Sequence, residues 1–148
     1  MNKRIFLLSF CFILMFGITH AQKNKGPKSI IRENVGIKKY HNKEELERLP
    51  KGALLGLYTE RIESLVKLLP YIAFATKPGV TLVSLGIPDD KENNKVLENQ
   101  FEATDDFLES TREFHQTILP YSDTSKLIAA ILFYEDMMKS LHEFSEFH

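Results

Sequence analysis

Five polar side chains stand where helical periodicity would place apolar ones, and they define the chemistry open to this chain. Arg61 falls between Leu54, Leu57 and Leu68, and His115 lies in line with Leu108 and Phe101, one turn after Thr111. Glu135 and His142 flank the core edge of the last helical segment beside Ile128, with Glu146 one turn beyond His142. A buried polar group costs free energy unless it finds a partner, so each of these residues requires either a structural contact or a ligand.

For Arg61 the structural reading is a stem packed on the core, with a guanidinium that snorkels out or pairs with a glutamate on a neighbouring helix. Its functional reading is an anion-binding group. His115 reads as a core histidine hydrogen-bonded to Thr111 or to a backbone carbonyl, or as a ligand or proton-transfer group. Glu135, His142 and Glu146 are spaced by seven and four, which aligns them along one helix face. Such a set would suit zinc or copper, to which Met138 could add a thioether. The set has neither the Glu-x-x-His pair of di-iron bundles nor a His-Glu-x-x-His zinc motif. The absence of Cys-x-x-Cys-His excludes covalent haem. There is no Gly-x-Ser-x-Gly elbow and no phosphate-cradling glycine loop, and acid pairs such as Asp105/Glu109 read as a solvated helix face. No catalytic constellation is complete and no cofactor is expected.

The elements that must position these residues are helical. Asn42-Lys43-Glu44-Glu45 has the form of a capping box, and the short helix that follows should stop near Pro50. From Lys51 to about Thr76, Leu54, Leu57, Tyr58, Ile62, Leu65, Leu68, Leu69 and Ile72 fall in one sector, with a kink or break expected at Pro70. Residues 77–88 suit a short helix better than a strand. No second strand is evident to pair with Val80–Leu85, and Gly86 and Pro88 have the order of a helix stop. Asp89 and Asp90 suit the start of the next long helix. Its stripe runs Leu97, Phe101, Thr104, Leu108, Thr111, His115 and Ile118, flanked by Phe107 and Phe114, and it should end before Pro120. Ser122 or Asp123 then caps a last helix from Ser125 to about Phe144. That helix is apolar all round from Leu127 to Tyr134 and so should be central. The expected fold is all-α: an antiparallel bundle of three long helices plus one or two short ones over residues 42–148. Glu63–Tyr71 and Glu113–Tyr121 share a Glu followed by Leu-Pro-Tyr, an echo at an offset of 50 residues that a duplicated helix-turn unit or chance could produce.

Residues 1–21 read as a signal peptide: Lys3 and Arg4, an apolar run from Ile5 to Ile18, and small residues at Thr19 and Ala21. Cys11 lies inside the apolar run, so a lipid-anchored cysteine is not expected. Cleavage before Gln22 would remove the only cysteine, leave no transmembrane span, and yield a periplasmic or secreted protein. Without Lys3 and Arg4 the basic count falls from 19 to 17 against 20 acids, moving the net charge from -1 to about -3. Residues 22–41 read as a flexible basic lead ahead of an acidic body. Lys23, Lys25, Lys28, Arg32, Lys38 and Lys39 could meet an anionic surface such as phospholipid or polyanionic glycan. Nucleic acid is not expected as a partner. The sequence points to an exported, non-enzymatic protein that binds a protein or envelope partner. The alternative is a periplasmic bundle holding a metal, haem or small anion.

Overall fold

A computed structural model of the chain describes residues 26–32 and 35–144. Residues 1–21, read above as a signal peptide, together with Lys23, Lys25 and Glu146, lie outside the described residues. Among the described residues four α-helices follow one another: α1 (Lys43–Glu47), α2 (Lys51–Leu68), α3 (Lys91–Ile118) and α4 (Thr124–Phe144). They are joined by 3-10 turns at Leu69–Tyr71, Val83–Leu85 and Leu119–Tyr121. The architecture is the expected helical bundle, with three long helices and one short one.

Local chemistry sets the boundaries. The capping box at α1 is complete: the Asn42 side chain accepts from the Glu45 amide at 2.8 Å, and the Glu45 carboxylate accepts from the Asn42 amide at 3.0 Å. Asp90 caps α3 by accepting from the Asn93 amide, and Asp123 caps α4 through the amides of Ser125 and Lys126. Pro70 has no N–H to offer Val66, so α2 gives way to a 3-10 turn two residues short of it. The same event occurs at Pro120, where α3 ends at Ile118. The Leu-Pro-Tyr echo is therefore a local conformational echo. It is not an echo in packing, because Tyr71 is 7% exposed and Tyr121 88%.

Two apolar clusters form the core. One gathers Leu65 and Leu68 of α2, Leu97 of α3 and Met138 of α4 around Ile30, Ile31 and Tyr71. The other joins Leu46 of α1, Leu54 of α2, and Leu127, Ile128 and Ile131 of α4. Early residues of α2 thus meet early residues of α4, and late meet late, so these two helices run parallel with α3 antiparallel to both. The first half of α4, expected to be central, buries only one face: Leu127, Ile128 and Ile131 are covered, while Ala129 and Phe133 are exposed, and α2 is the helix that packs against both other long helices.

The segment read as a flexible lead is packed against the bundle where it is described. Ile30 is 3% exposed and Ile31 is fully buried. The basic composition of residues 22–41 obscures this adjacent pair, whose burial stabilises the packed form by roughly 1.5–3 kcal/mol each. The lead also supplies what residues 77–88 lack in the sequence, a pairing partner. Among the described residues there is no strand, but Ser29 and Thr81 form an isolated antiparallel bridge and the Ile30 amide donates to the Val80 carbonyl at 2.8 Å. Val83–Leu85 then forms a single turn closed by Gly86 at φ 74°, a left-handed conformation that glycine adopts without strain. Lys28 meets Glu98, and Arg32 grips both oxygens of Asp105 at 2.8 and 2.7 Å. The basic lead and the acidic body complement one another within one chain. Ile31→Ala should cost about 2–5 kcal/mol in urea denaturation, as for a core aliphatic. A lead free in solution would move stability by less than about 0.5 kcal/mol.

Candidate functional site

The centre of the polar chemistry is a closed cluster between the two apolar clusters. Arg61 on α2 and Glu135 on α4, 1% and 0% exposed, face each other across the parallel helix pair. Arg61 donates to Glu135 Oε1 from Nε at 3.0 Å and from Nη2 at 2.8 Å. Its Nη2 also donates to the Lys39 carbonyl at 2.7 Å, and its Nη1 donates to Glu60 at 2.8 Å. The His41 amide donates to Glu135 Oε2 at 2.6 Å, and the His41 Nδ1 lies 3.0 Å from Glu135 Oε1. Burial pushes the Glu135 carboxyl up, but the amide and ring of His41 together with the Arg61 guanidinium pull it below the usual glutamate value. All three guanidinium nitrogens have protein acceptors. Arg61 is thus a core arginine paired within the bundle rather than a donor poised for an anion.

The structure brings Arg61 and Glu135 together and keeps the other candidates apart. Both oxygens of Glu135 are engaged by Arg61 and His41, so the carboxylate does not stand beside His142 as a metal ligand. The His142 Nδ1 lies 3.1 Å from the Tyr40 hydroxyl, and Glu146 lies outside the described residues. Among the described residues no group of three or more His, Cys, Asp or Glu side chains is arranged to hold a metal ion. Tyr40 and His41 are participants that the helical pattern does not reveal. Both sit in the lead, and their signal is two ring-bearing polar residues immediately before the Asn42 cap.

His115 occupies a separate place. It is 8% exposed, with its ring edge-on to Tyr58 at 5.3 Å and tilted against Phe114 at 6.0 Å. Neither Thr111 nor a carbonyl serves its Nδ1, which is buried without a hydrogen-bond partner. Burial lowers its pKa, opposed by the charge of Glu63. The ring borders an open hollow of about 520 Å³ whose polar lining includes Glu60, Glu63, Arg112 and Gln116. Arg112 there is held by Glu63 at 3.1 and 2.7 Å. Glu60 bonds Arg61 and also lines this hollow, linking the two places without merging them.

Two surfaces remain. Lys28, Arg32 and Lys39 each face a carboxylate of the body, Lys39 reaching Glu45 at 2.9 Å. Of the described lead cations expected to meet an anionic surface, Lys38 alone lacks an ion pair. The other surface is apolar. On α3, Val96, Phe107, Phe114 and Ile118 are 48–64% exposed, and at ~100° per residue they lie within about 40° of one another. The sequence places Ile118 in the core stripe, but it is 48% exposed and lies in the same sector as Val96, Phe107 and Phe114. The N-terminal end of the exposed row borders a cavity of about 290 Å³ between Ile30, Phe74, Leu82, Leu85 and Leu97.

No family model, curated protein or solved structure matches this chain. Among the described residues no helix is long and apolar enough to cross a membrane.

Two measurements follow from this geometry. Arg61→Met and Glu135→Leu should each cost about 3–5 kcal/mol, because each strands a buried charge. The double variant should cost less than their sum, and additive costs would show that the two residues are not coupled. For His115 the sign is that of a depressed folded-state pKa. The unfolded chain takes up the proton near 6.5 and the folded chain only at lower pH. Stability is therefore full above 6.5 and declines as pH falls below it. His115→Phe should flatten that part of the stability profile, and an unchanged slope would contradict the assignment.

Proposed function

We propose that this is an exported, non-enzymatic binding protein whose partner engages the outward apolar face of α3. The observation that carries this reading is the row of Val96, Phe107, Phe114 and Ile118, four large apolar residues exposed on one sector of a helix. Large apolar residues aligned on one exposed helix sector mark an interaction site more often than scattered exposure does. The polar chemistry favours binding over catalysis, since the Arg61–Glu135 cluster is internally satisfied and buried. The tripartite pattern of residues 1–21 supports export.

The test is to place a photoreactive phenylalanine analogue at Phe107 or Phe114 in cells, with Lys77 as the control position, and to recover the protein from fractionated material. One discrete adduct at the two α3 positions and none at Lys77 is the expected result. Adducts of equal yield at all three positions, or none, would remove the α3 face as the contact. Mass spectrometry of the exported fraction should show a chain starting at Gln22. An intact Met1 terminus confined to the membrane fraction would overturn the export reading.

A further inference from the structure

We infer that the cleft between the Val83–Leu85 turn and the first half of α3 binds an uncharged aliphatic alcohol. The site is distinct from the partner face proposed above, with which it shares only Val96.

Four segments wall the cleft. Ile30 of the lead, Tyr71 and Phe74 beyond the Pro70 break, and Leu82 and Leu85 of the turn supply its apolar sides. The fourth side is α3, where Asn93, Val96, Leu97 and Gln100 stand at i, i+3, i+4 and i+7 and so share one helix face. These segments are tied together without a ligand. The Ile30 amide donates to the Val80 carbonyl at 2.8 Å, the Gly79 amide to Ser29 Oγ at 2.9 Å, and the Ile87 amide to the Leu82 carbonyl at 2.9 Å. A cleft built in this way spares its occupant the cost of ordering it.

Size and lining select an apolar body. The volume of about 290 Å³ is roughly twice the ~150 Å³ that suffices for a benzene ring, in proportion to about twelve non-hydrogen atoms. Water finds few polar partners against such walls, so an apolar group that displaces it gains affinity. Phe74 and Val96, 56% and 64% exposed, border the opening and would be covered. Among the described residues no charged side chain lines the cleft. A charged ligand would therefore lose hydration there without gaining an ion pair.

Two amides select the polar group. Asn93 Nδ2 donates to the Pro88 carbonyl at 2.9 Å and to Asp90 Oδ2 at 3.3 Å, and these two acceptors fix which way the amide faces. Gln100 Nε2 donates at 3.3 Å to Thr104 Oγ1, whose own proton goes to the Gln100 carbonyl at 2.8 Å. Asn93 Oδ1 and Gln100 Oε1 are left as acceptors without a donor among the described residues, against one spare N–H on Gln100. Burial raises the Tyr71 pKa, and the charges that act on its hydroxyl are Arg32 and Asp105, which border a separate void of about 10 Å³ and do not line the cleft. A ligand hydroxyl supplies the proton that the two amide oxygens lack, whereas a carboxylate brings only further acceptors.

The experiment titrates the full chain with decanol, decyl methyl ether and decanoate and follows amide chemical shifts by NMR. Decanol should saturate the chain with its largest shifts at residues 82–87 and 93–100, and should bind at least about tenfold more tightly than the ether or the carboxylate. Gln100→Leu, which removes one acceptor, should cut the advantage over the ether by about threefold or more. Leu85→Trp, which fills the cleft, should weaken all three ligands. Gln100 is exposed and Leu85 half-buried, and an unchanged circular dichroism spectrum confirms that each variant is folded. Equal affinity for decanol and the ether would overturn the hydroxyl assignment, and tighter binding of decanoate would overturn the uncharged one. Shifts that spread over the chain without saturating, or binding indifferent to Leu85→Trp, would overturn the site itself. The α3 partner face stands or falls separately, on the crosslinking at Phe107 and Phe114.

Discussion

The fold turns on a buried ion pair that would be unaffordable without its hydrogen bonds. Arg61 and Glu135 are withdrawn almost completely from water, and desolvating such groups costs several kcal/mol per ion. Their mutual attraction is supplemented by further hydrogen bonds on both sides. Glu135 accepts from the His41 amide, and Arg61 donates to the Lys39 carbonyl and to Glu60. The partners come from three different segments, so the pair is satisfied only when α2, α4 and the lead are all in place. The cluster thereby couples docking of the lead to alignment of the two parallel helices. Side chains that look like separate sites in the sequence become one structural joint.

Fixing Lys39 and His41 in this joint limits where the lead can run. From Lys28 to Arg32 it crosses α3 near Glu98 and Asp105, with Ile30 and Ile31 inserted in the core. The exposed ion pairs contribute little individually, about 0–1 kcal/mol. Burial of the two isoleucines stabilises the docked lead more than these pairs do, and the charges set which surface the lead lies on. A charge asymmetry that suggests an external anionic partner is therefore used largely inside the chain. Tyr40 follows the same path, where its hydroxyl meets His142 and its ring lies under Lys139.

The helical fold is legible in the sequence because its signals are local. The capping box at Asn42, the caps at Asp90 and Asp123, the proline breaks and Gly86 all act within a turn or so of the chain. Arg61 and Glu135 are legible as misplaced polar residues, but not as each other's partners, because 74 residues separate them. The packing of the lead is hidden for a related reason. Two isoleucines among many basic residues give no period to read, and their burial depends on a surface built by α2, α3 and α4. The isolated bridge to Thr81 has no local signal either, since a single pairing needs no alternating pattern on either side.

α3 shows why the outer surface is harder to read than the core. With Leu97, Leu108 and His115 buried on one face, Val96, Phe107, Phe114 and Ile118 are left about a quarter-turn away. In the sequence alone, both sets merge into one broad apolar sector, and the flanking phenylalanines look like its edge. Only the placement of α2 and α4 divides it into a part that is covered and a part that is not. The acids divide too: the lead neutralises Glu98 and Asp105, while Glu102, Asp106, Glu109 and Glu113 have no ion pair among the described residues. The exposed apolar row of α3 is therefore a product of packing, created where the intramolecular partners of the helix run out.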